Sequence, residues 1–280
     1  MGVQARIVLY APGSNAAATA ASRAFARLAE LDARLSDYRT GSELSLLPTH
    51  PAGEPIPVSA DLFAVLRRSQ QLAELSGGAF DVTVGPVVAL WREARRTGRL
   101  PPDSAIRGAV ERVGWRHLQL DPAAHAVTLR KPGMRLDLGG IAKGYACDEA
   151  LRVLGEAGVN RALVELGGDI AVGDAPPGED GWPISVTTND TARQVLHLAH
   201  LAISSSGDSE QFVEIGGRRY SHVVDPRTGQ ALTSRVGVTV IGPDGLTADG
   251  LATLLSVLGP DQGSVFLARY YPAVRALIRR

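Results

Sequence analysis

The run Asp137-Leu138-Gly139-Gly140-Ile141-Ala142-Lys143-Gly144-Tyr145 sets a carboxylate, a flexible glycine pair and a lysine at the mouth of an expected helix. Glycines let the backbone approach a ligand closely, and a helix N-terminus offers free N–H groups to anions. The Lys143 ammonium adds a point charge suited to a phosphate. The plain alternative is an ordinary strand-to-helix turn with a solvated lysine.

Two more groupings carry chemistry. In Ser221-His222-Val223-Val224-Asp225-Pro226-Arg227-Thr228-Gly229, a titratable histidine, an acid and an arginine share a turn marked by Pro and Gly. A His three residues from an Asp can serve as a general base or orient a nucleophile. It also reads as a structural turn in which Asp225 caps and His222 is solvated. Asp249 and Thr253 stand four apart on an expected helix, so both oxygens face one way. With backbone carbonyls added they suit a hard cation such as Mg²⁺. The alternative is an Asp acting on the helix dipole and a Thr bonding back to a carbonyl.

Weaker features follow. Asp81 and Thr83 can hydrogen-bond a ligand's polar ring or ribose, although alternation there also fits a strand. Ser204-Ser205-Ser206-Gly207-Asp208 can hold a phosphate or form an ordinary turn. His50, His117, His125, His197 and His200 show no metal-binding spacing. No Gly-x-Ser-x-Gly elbow, Walker loop or Rossmann fingerprint is present.

These residues need a scaffold. Residues 3–10 alternate as a strand, and residues 15–35 place Ala18, Ala21, Phe25, Leu28, Leu31 and Leu35 on one helical face. A polar loop spans 36–43. Ser59 is positioned to cap a helix running to about residue 76, ended by Gly77-Gly78. Another helix surrounds Leu90-Trp91-Arg92. Residues 94–115 form a charged surface excursion with a short helix. A hairpin joins His117–Leu120 to Ala126–Arg130, and Met134–Leu136 is strand-like. Strands are expected at 161–165, 183–188, 195–203, 211–216 and 235–241, with an apolar helix at 247–258. Hairpins mixed with strand–helix units give an α+β or mixed α/β class.

Composition narrows the function classes. Lys+Arg and Asp+Glu balance at 29 each in 280 residues, so no basic surplus points to nucleic acid. The length suits one large domain or two intimate ones. Cys147 stands alone, which excludes an intrachain disulfide and leaves too few thiols for a cysteine zinc site. No run of 18 apolar residues predicts a transmembrane helix. The N-terminus alternates like a strand and shows no export signal.

Taken in order, these segments resemble the FAD:protein FMN transferases, the ApbE-like flavin transferases once labelled thiamine-biosynthesis lipoproteins. The marks are Leu35-Ser36-Asp37-Tyr38 with Ser42-Glu43-Leu44-Ser45; Gly78 to Pro86; Asp137 to Tyr145; Leu166-Gly167-Gly168-Asp169; Ser205-Ser206-Gly207; His222 to Gly229; and Ala248-Asp249 to Thr253. They run from Met1 to about Gly259. The resemblance implies an α+β (mixed α/β) ApbE-like fold over residues 1–280, with mixed sheets flanked by helices and a flavin site in the cleft between two intimate lobes. It implies FAD contacts at Met1, Tyr38, Ala79, Phe80, Asp81, Asp137, Lys143 and Val224. Mg²⁺ would be held by Asp249 and Thr253 with backbone oxygens of Gly140 and Ala252. His222 and Asp225 match the functional loop, and the sequence does not choose between them as the base.

The implied reaction moves FMN from FAD to a Thr or Ser hydroxyl of a target protein and releases AMP. Mg²⁺-dependent FAD hydrolysis to FMN and AMP, or non-enzymatic FAD binding, would use the same residues. Implied acceptors are FMN-binding subunits of membrane redox complexes, which suggests periplasmic work. Three departures stand out. The Met-Gly pair opens the chain where an export signal or lipobox is normal, Asp37 and Ser205 replace the usual small hydroxyl residue and Thr, and the C-terminus looks short of a final strand.

Overall fold

The computed structural model describes residues 2–188, 193–207 and 212–279. In chain order the elements are β1 (Ala5–Leu9), α1 (Ser14–Leu35), α2 (Glu43–Leu46), β2 (Ile56–Pro57), α3 (Ala60–Leu75), α4 (Gly85–Thr97) and α5 (Asp103–Val110). Then come β3 (Leu118–Asp121), β4 (Ala126–Leu129), α6 (Ala142–Glu156), β5 (Ala162–Leu166), β6 (Asp169–Val172), β7 (Trp182–Thr187), β8 (Arg193–Leu198) and β9 (Leu201–Ser206). The last are β10 (Phe212–Ile215), β11 (Arg218–Ser221), β12 (Val224–Asp225), β13 (Gln230–Ala231), β14 (Gly237–Gly242), α7 (Gly245–Tyr270) and β15 (Arg275–Arg279).

The central sheet has six strands in the order β1-β5-β6-β9-β14-β15. Every pairing in it is antiparallel. The smaller sheets and hairpins, β2-β4-β3, β7-β8, β10-β11 and β12-β13, are antiparallel too. The class is therefore α+β, and the expected mixture of strand directions reduces to one parallel bridge, Val84 with Arg135. That bridge is all that remains of the strand expected at 134–136. The expected strand at 195–203 is broken into β8 and β9, because His200 turns with φ 53°. At the C-terminal side, β15 pairs with β14 along Gly237–Ile241.

Local chemistry explains the main elements. The Ser59 hydroxyl accepts from the Leu62 N–H and caps α3, while the Glu43 carboxylate accepts from the Ser59 hydroxyl at 2.6 Å. Gly167 and Gly168, at φ 55° and 93°, make the two-residue turn that joins β5 to β6. Helix α7 bends at Gly259, where φ is 71° and Pro260 follows. By length and composition α7 could cross a bilayer, but Leu251, Leu254 and Leu255 are fully buried in the main core. That burial identifies a core helix.

Two features of packing position the site. Helices α6 and α7 meet through glycines. A Cβ on Gly144 would lie 2.0 Å from the Gly245 carbonyl oxygen, and one on Gly245 would lie 2.4 Å from that of Gly144. A second, small core of Val87, Trp91, Ala94, Ile106, Ala109, Val224 and Ala231 fixes α4 and α5 against the loop after β11. There the Trp91 indole N–H donates to the Gly229 carbonyl at 2.9 Å. Truncating a buried tryptophan of this kind costs about 3–5 kcal/mol.

Candidate functional site

One cavity collects most of the sequence-predicted residues. Tyr38, Ala79, Phe80, Asp81, Asp137, Gly140, Lys143, His222, Val224 and Thr253 all line it. Asp225 and Ala252 are not on the lining, and Asp249 sits behind it. Met1 lies outside the described residues, although Val3 beside it faces the cavity.

The floor is the junction of α6 and α7. The Gly144 N–H, in the first turn of α6, donates to Asp249 Oδ2 at 3.0 Å. In return Asp148 of α6 accepts from the Gly245 and Leu246 N–H groups at 2.7 and 2.9 Å. Both helix N-termini thereby have free N–H groups satisfied by an acid of the other helix. Lys143 Nζ reaches Asp169 Oδ2 at 2.5 Å and Asp249 Oδ2 at 3.5 Å. Burial opposes the ammonium, but the Asp249 and Asp169 charges outweigh it and hold its pKa above the ordinary lysine value. Asp249 is pushed up to about 7 by burial and then by the Asp169 charge, against the pull of Lys143.

Oxygen donors gather beside this pair. A Cβ on Gly140 would meet Thr253 Oγ1 at 2.7 Å, so the glycine backbone and the threonine hydroxyl are close neighbours. Asp249, Thr253 and the Gly140 backbone are an all-oxygen set, the kind a hard divalent cation prefers. Among the described residues, no three His, Cys, Asp or Glu side chains cluster as a metal cage. A lone carboxylate with neutral oxygens fits Mg²⁺, which keeps waters and shares substrate phosphates. Ala252 fits less well: it is fully buried and its carbonyl accepts the Ser256 hydroxyl at 2.9 Å.

The mouth is built around Arg92. Its guanidinium lies 4.1 Å from the centroid of the Tyr38 ring, donates to Asp137 Oδ2 at 2.8 Å and pairs with Asp37. Tyr38 itself is 66% exposed, a ring left open on its outer face. The Asp137 Oδ1 accepts from the Gly139 N–H at 2.8 Å, which shapes the Gly-Gly turn. Sequence reasoning placed a helix at Arg92 without assigning it chemistry. The available signal was Arg92 and Arg95 three apart on one face with Val88.

Several expected ligand contacts are occupied by the protein. The Asp81 carboxylate accepts from the Thr83 N–H and hydroxyl and from the Trp115 N–H at 2.7–2.8 Å. Asp81 and Thr83 form a turn rather than a strand, and their side chains pin the loop at 114–115. Ser204 donates to Asp169 and Ser205 bonds Thr239 across the sheet at 2.9 Å, so these two side chains are not a phosphate cradle. Asp225 is held in a two-point pair with Arg227 at 2.8–2.9 Å and accepts the Arg227 N–H at 3.0 Å. His222 lines the cavity. The lone thiol, Cys147, is buried and donates weakly to the Asp169 carbonyl at 3.4 Å.

A family model described as the ApbE family matches residues 1–278. The chain is 34% identical over 243 residues to the FAD:protein FMN transferase of Vibrio cholerae, covering 84% of this chain and 72% of that protein. It is 35% identical over 264 residues to the protein of the same name from Haemophilus influenzae, covering 90% and 76%. The flavin transferase ApbE from Vibrio cholerae superposes with a TM-score of 0.90 at 31% identity, over 99% of this chain and 90% of that one. The apo form of Pseudomonas stutzeri flavinyl transferase ApbE gives 0.85 at 30% identity, over 98% and 90%.

Proposed function

The chain belongs to the ApbE family, and from that premise we propose that it is an enzyme transferring FMN from FAD to a hydroxyl of another protein. The observation that carries the reading is the convergence of Lys143, Thr253 and His222 on one cavity, with Asp249 behind it. The relatives named for this reaction match along most of the chain.

The chain's own groups divide the work. Tyr38 offers an aromatic face to a planar ring, and Arg92 holds that face in place. Lys143 is the cation on the lining placed to meet the pyrophosphate. Asp249, Thr253 and the Gly140 carbonyl are the residues that would hold Mg²⁺. When bound, the ion supplies positive charge to phosphate oxygens. Asp37, Asp81 and Asp137 face Arg92, Arg95 and Lys143 on the lining, and Asp169 and Asp249 add carboxyl groups behind Lys143.

In the transfer, the target Thr or Ser oxygen bonds to the FMN-side phosphorus. The bond from that phosphorus to the bridging oxygen breaks, and AMP leaves with the bridging oxygen. The hydroxyl proton passes to His222, which lines the cavity where Asp225 does not. The acceptor is taken to be an FMN-binding subunit of a membrane redox complex, and the reaction is assigned to the cell envelope on family resemblance; fractionation of the source cells tests the latter.

The test mixes the protein with FAD, Mg²⁺ and a candidate acceptor, followed by intact mass and fluorescence on a denaturing gel. The acceptor is expected to gain one FMN, and the gain is expected to vanish with chelator and in Asp249→Ala. Free FMN and AMP without labelled acceptor would indicate water as the acceptor. Unchanged FAD in every condition would leave only a flavin-binding role.

A further inference from the structure

Lys143 stands between two carboxylates that are not equivalent. Asp169 takes its ammonium at 2.5 Å, while Asp249 is at 3.5 Å. Asp169 is only 2% exposed, and its other oxygen accepts the Ser204 hydroxyl. It is the first residue of β6, fixed by the Gly167-Gly168 turn and paired with Leu166. Neither Asp169 nor Ser204 lines the cavity, so neither reaches a ligand. The central sheet therefore delivers a carboxylate whose visible work is to hold Lys143 from behind.

We propose that Asp169 is a positioning residue for the cation site: by binding the Lys143 ammonium it keeps the Asp249 carboxylate available to a divalent cation. This rests on the metal reading given under Proposed function. The charge count shows why the second acid matters. Lys143 with Asp249 alone makes a neutral buried pair, and a cation would have to displace the ammonium from its partner. With Asp169 present at 2.5 Å, the ammonium keeps a counter-ion when Asp249 serves the metal. Ser204 and the rigid β5–β6 turn fix Asp169, so it cannot itself swing to the cavity. Loss of an outer partner of this kind typically weakens metal affinity by about 10–100-fold.

The probe is Mn²⁺, titrated into the purified protein with FAD held saturating for each variant and read as free Mn²⁺ by electron paramagnetic resonance. In Asp169→Asn, which keeps shape and a partner for Ser204, Mn²⁺ affinity is expected to fall by about 10–100-fold. In Asp169→Asn combined with Lys143→Gln, the competing ammonium is gone and Mn²⁺ affinity is expected to recover. A merely structural role for Asp169 would not be relieved by a second substitution. In turnover, Asp169→Asn is expected to need more Mg²⁺ for half-maximal rate while keeping a near-normal rate at saturating Mg²⁺. Wild-type Mn²⁺ affinity in Asp169→Asn, or weakening that persists in the double variant, would overturn the role of Asp169. A wild-type protein that binds no Mn²⁺ would overturn the metal reading, and this inference with it.

Discussion

Asp148 and Asp249 each close the N-terminus of the other's helix. Asp249 of α7 accepts from Gly144 of α6, and Asp148 of α6 accepts from Gly245 and Leu246 of α7. The exchange fixes the angle and depth at which the two helices cross, and so the position of Lys143 over Asp249. The two acids differ in what else they do, since only Asp249 lies beside the oxygen donors of the cavity floor.

That difference can be measured. Asp148→Ala removes caps and is expected to cost about 1–2 kcal/mol of stability, by urea denaturation, while transfer activity survives below the melting range. Asp249→Ala is expected to abolish transfer in protein that remains folded. Equal loss of activity in both variants would contradict the division.

Gly144→Ala should be among the most damaging small substitutions. Its Cβ would sit 2.0 Å from a backbone oxygen, which has no rotamer to give. The cost is expected to be about 3 kcal/mol or more, at or above the upper end for overpacking. Gly178 is the control. Its φ is 79° with nothing within 4 Å of the added Cβ, and alanine there should cost only about 1 kcal/mol. Matching midpoints for the two variants would show that the helices can part without loss.

His222→Ala is expected to slow FMN transfer by ~10²–10⁴-fold, the range for loss of a general base. FAD affinity, by flavin fluorescence, should stay near the wild-type value. Asp225→Ala is expected to act chiefly on stability through the Arg227 turn. If Asp225→Ala proves the slower enzyme in single turnover, the roles assigned to the two are reversed.

Asp137 gives a pH signature. Burial first, then the Asp37 charge, push its pKa from 3.8 up to about 6, against the pull of Arg92. The folded-state value is raised, so its stabilising contribution is complete below about pH 4 and fades as pH rises through about 6. The change amounts to at most about 3 kcal/mol. Asp37→Asn removes the like charge but not the burial, and should lessen the slope of the stability profile between about pH 4 and about pH 7. An unchanged profile would mean the two carboxylates do not share the guanidinium in solution.

Local signals in the sequence carried much of this far. The Ser59 cap, the helix after Lys143 and the four-residue spacing of Asp249 and Thr253 can be read directly, because each is a short-range pattern. Ten of the residues marked in advance line the cavity. What could not be read is pairing at a distance. Nothing in the neighbourhood of Asp169 announces that β6 will carry it behind Lys143, and nothing near Arg92 announces Tyr38 as its stacking partner. His200 looks like a strand residue until its positive φ ends one strand and starts the next. Asp81 and Ser204 have the right chemistry for ligands, yet their hydrogen-bonding capacity is already taken inside the fold.

The order of the central sheet also sets a schedule. β1 pairs with β5, more than half the chain later, and α7 follows both in the sequence. A nascent chain therefore holds Tyr38 and Arg92 long before it holds Asp249 and Thr253. Such distant pairings close slowly, so the two sides of the cavity can meet only after α7 has been made.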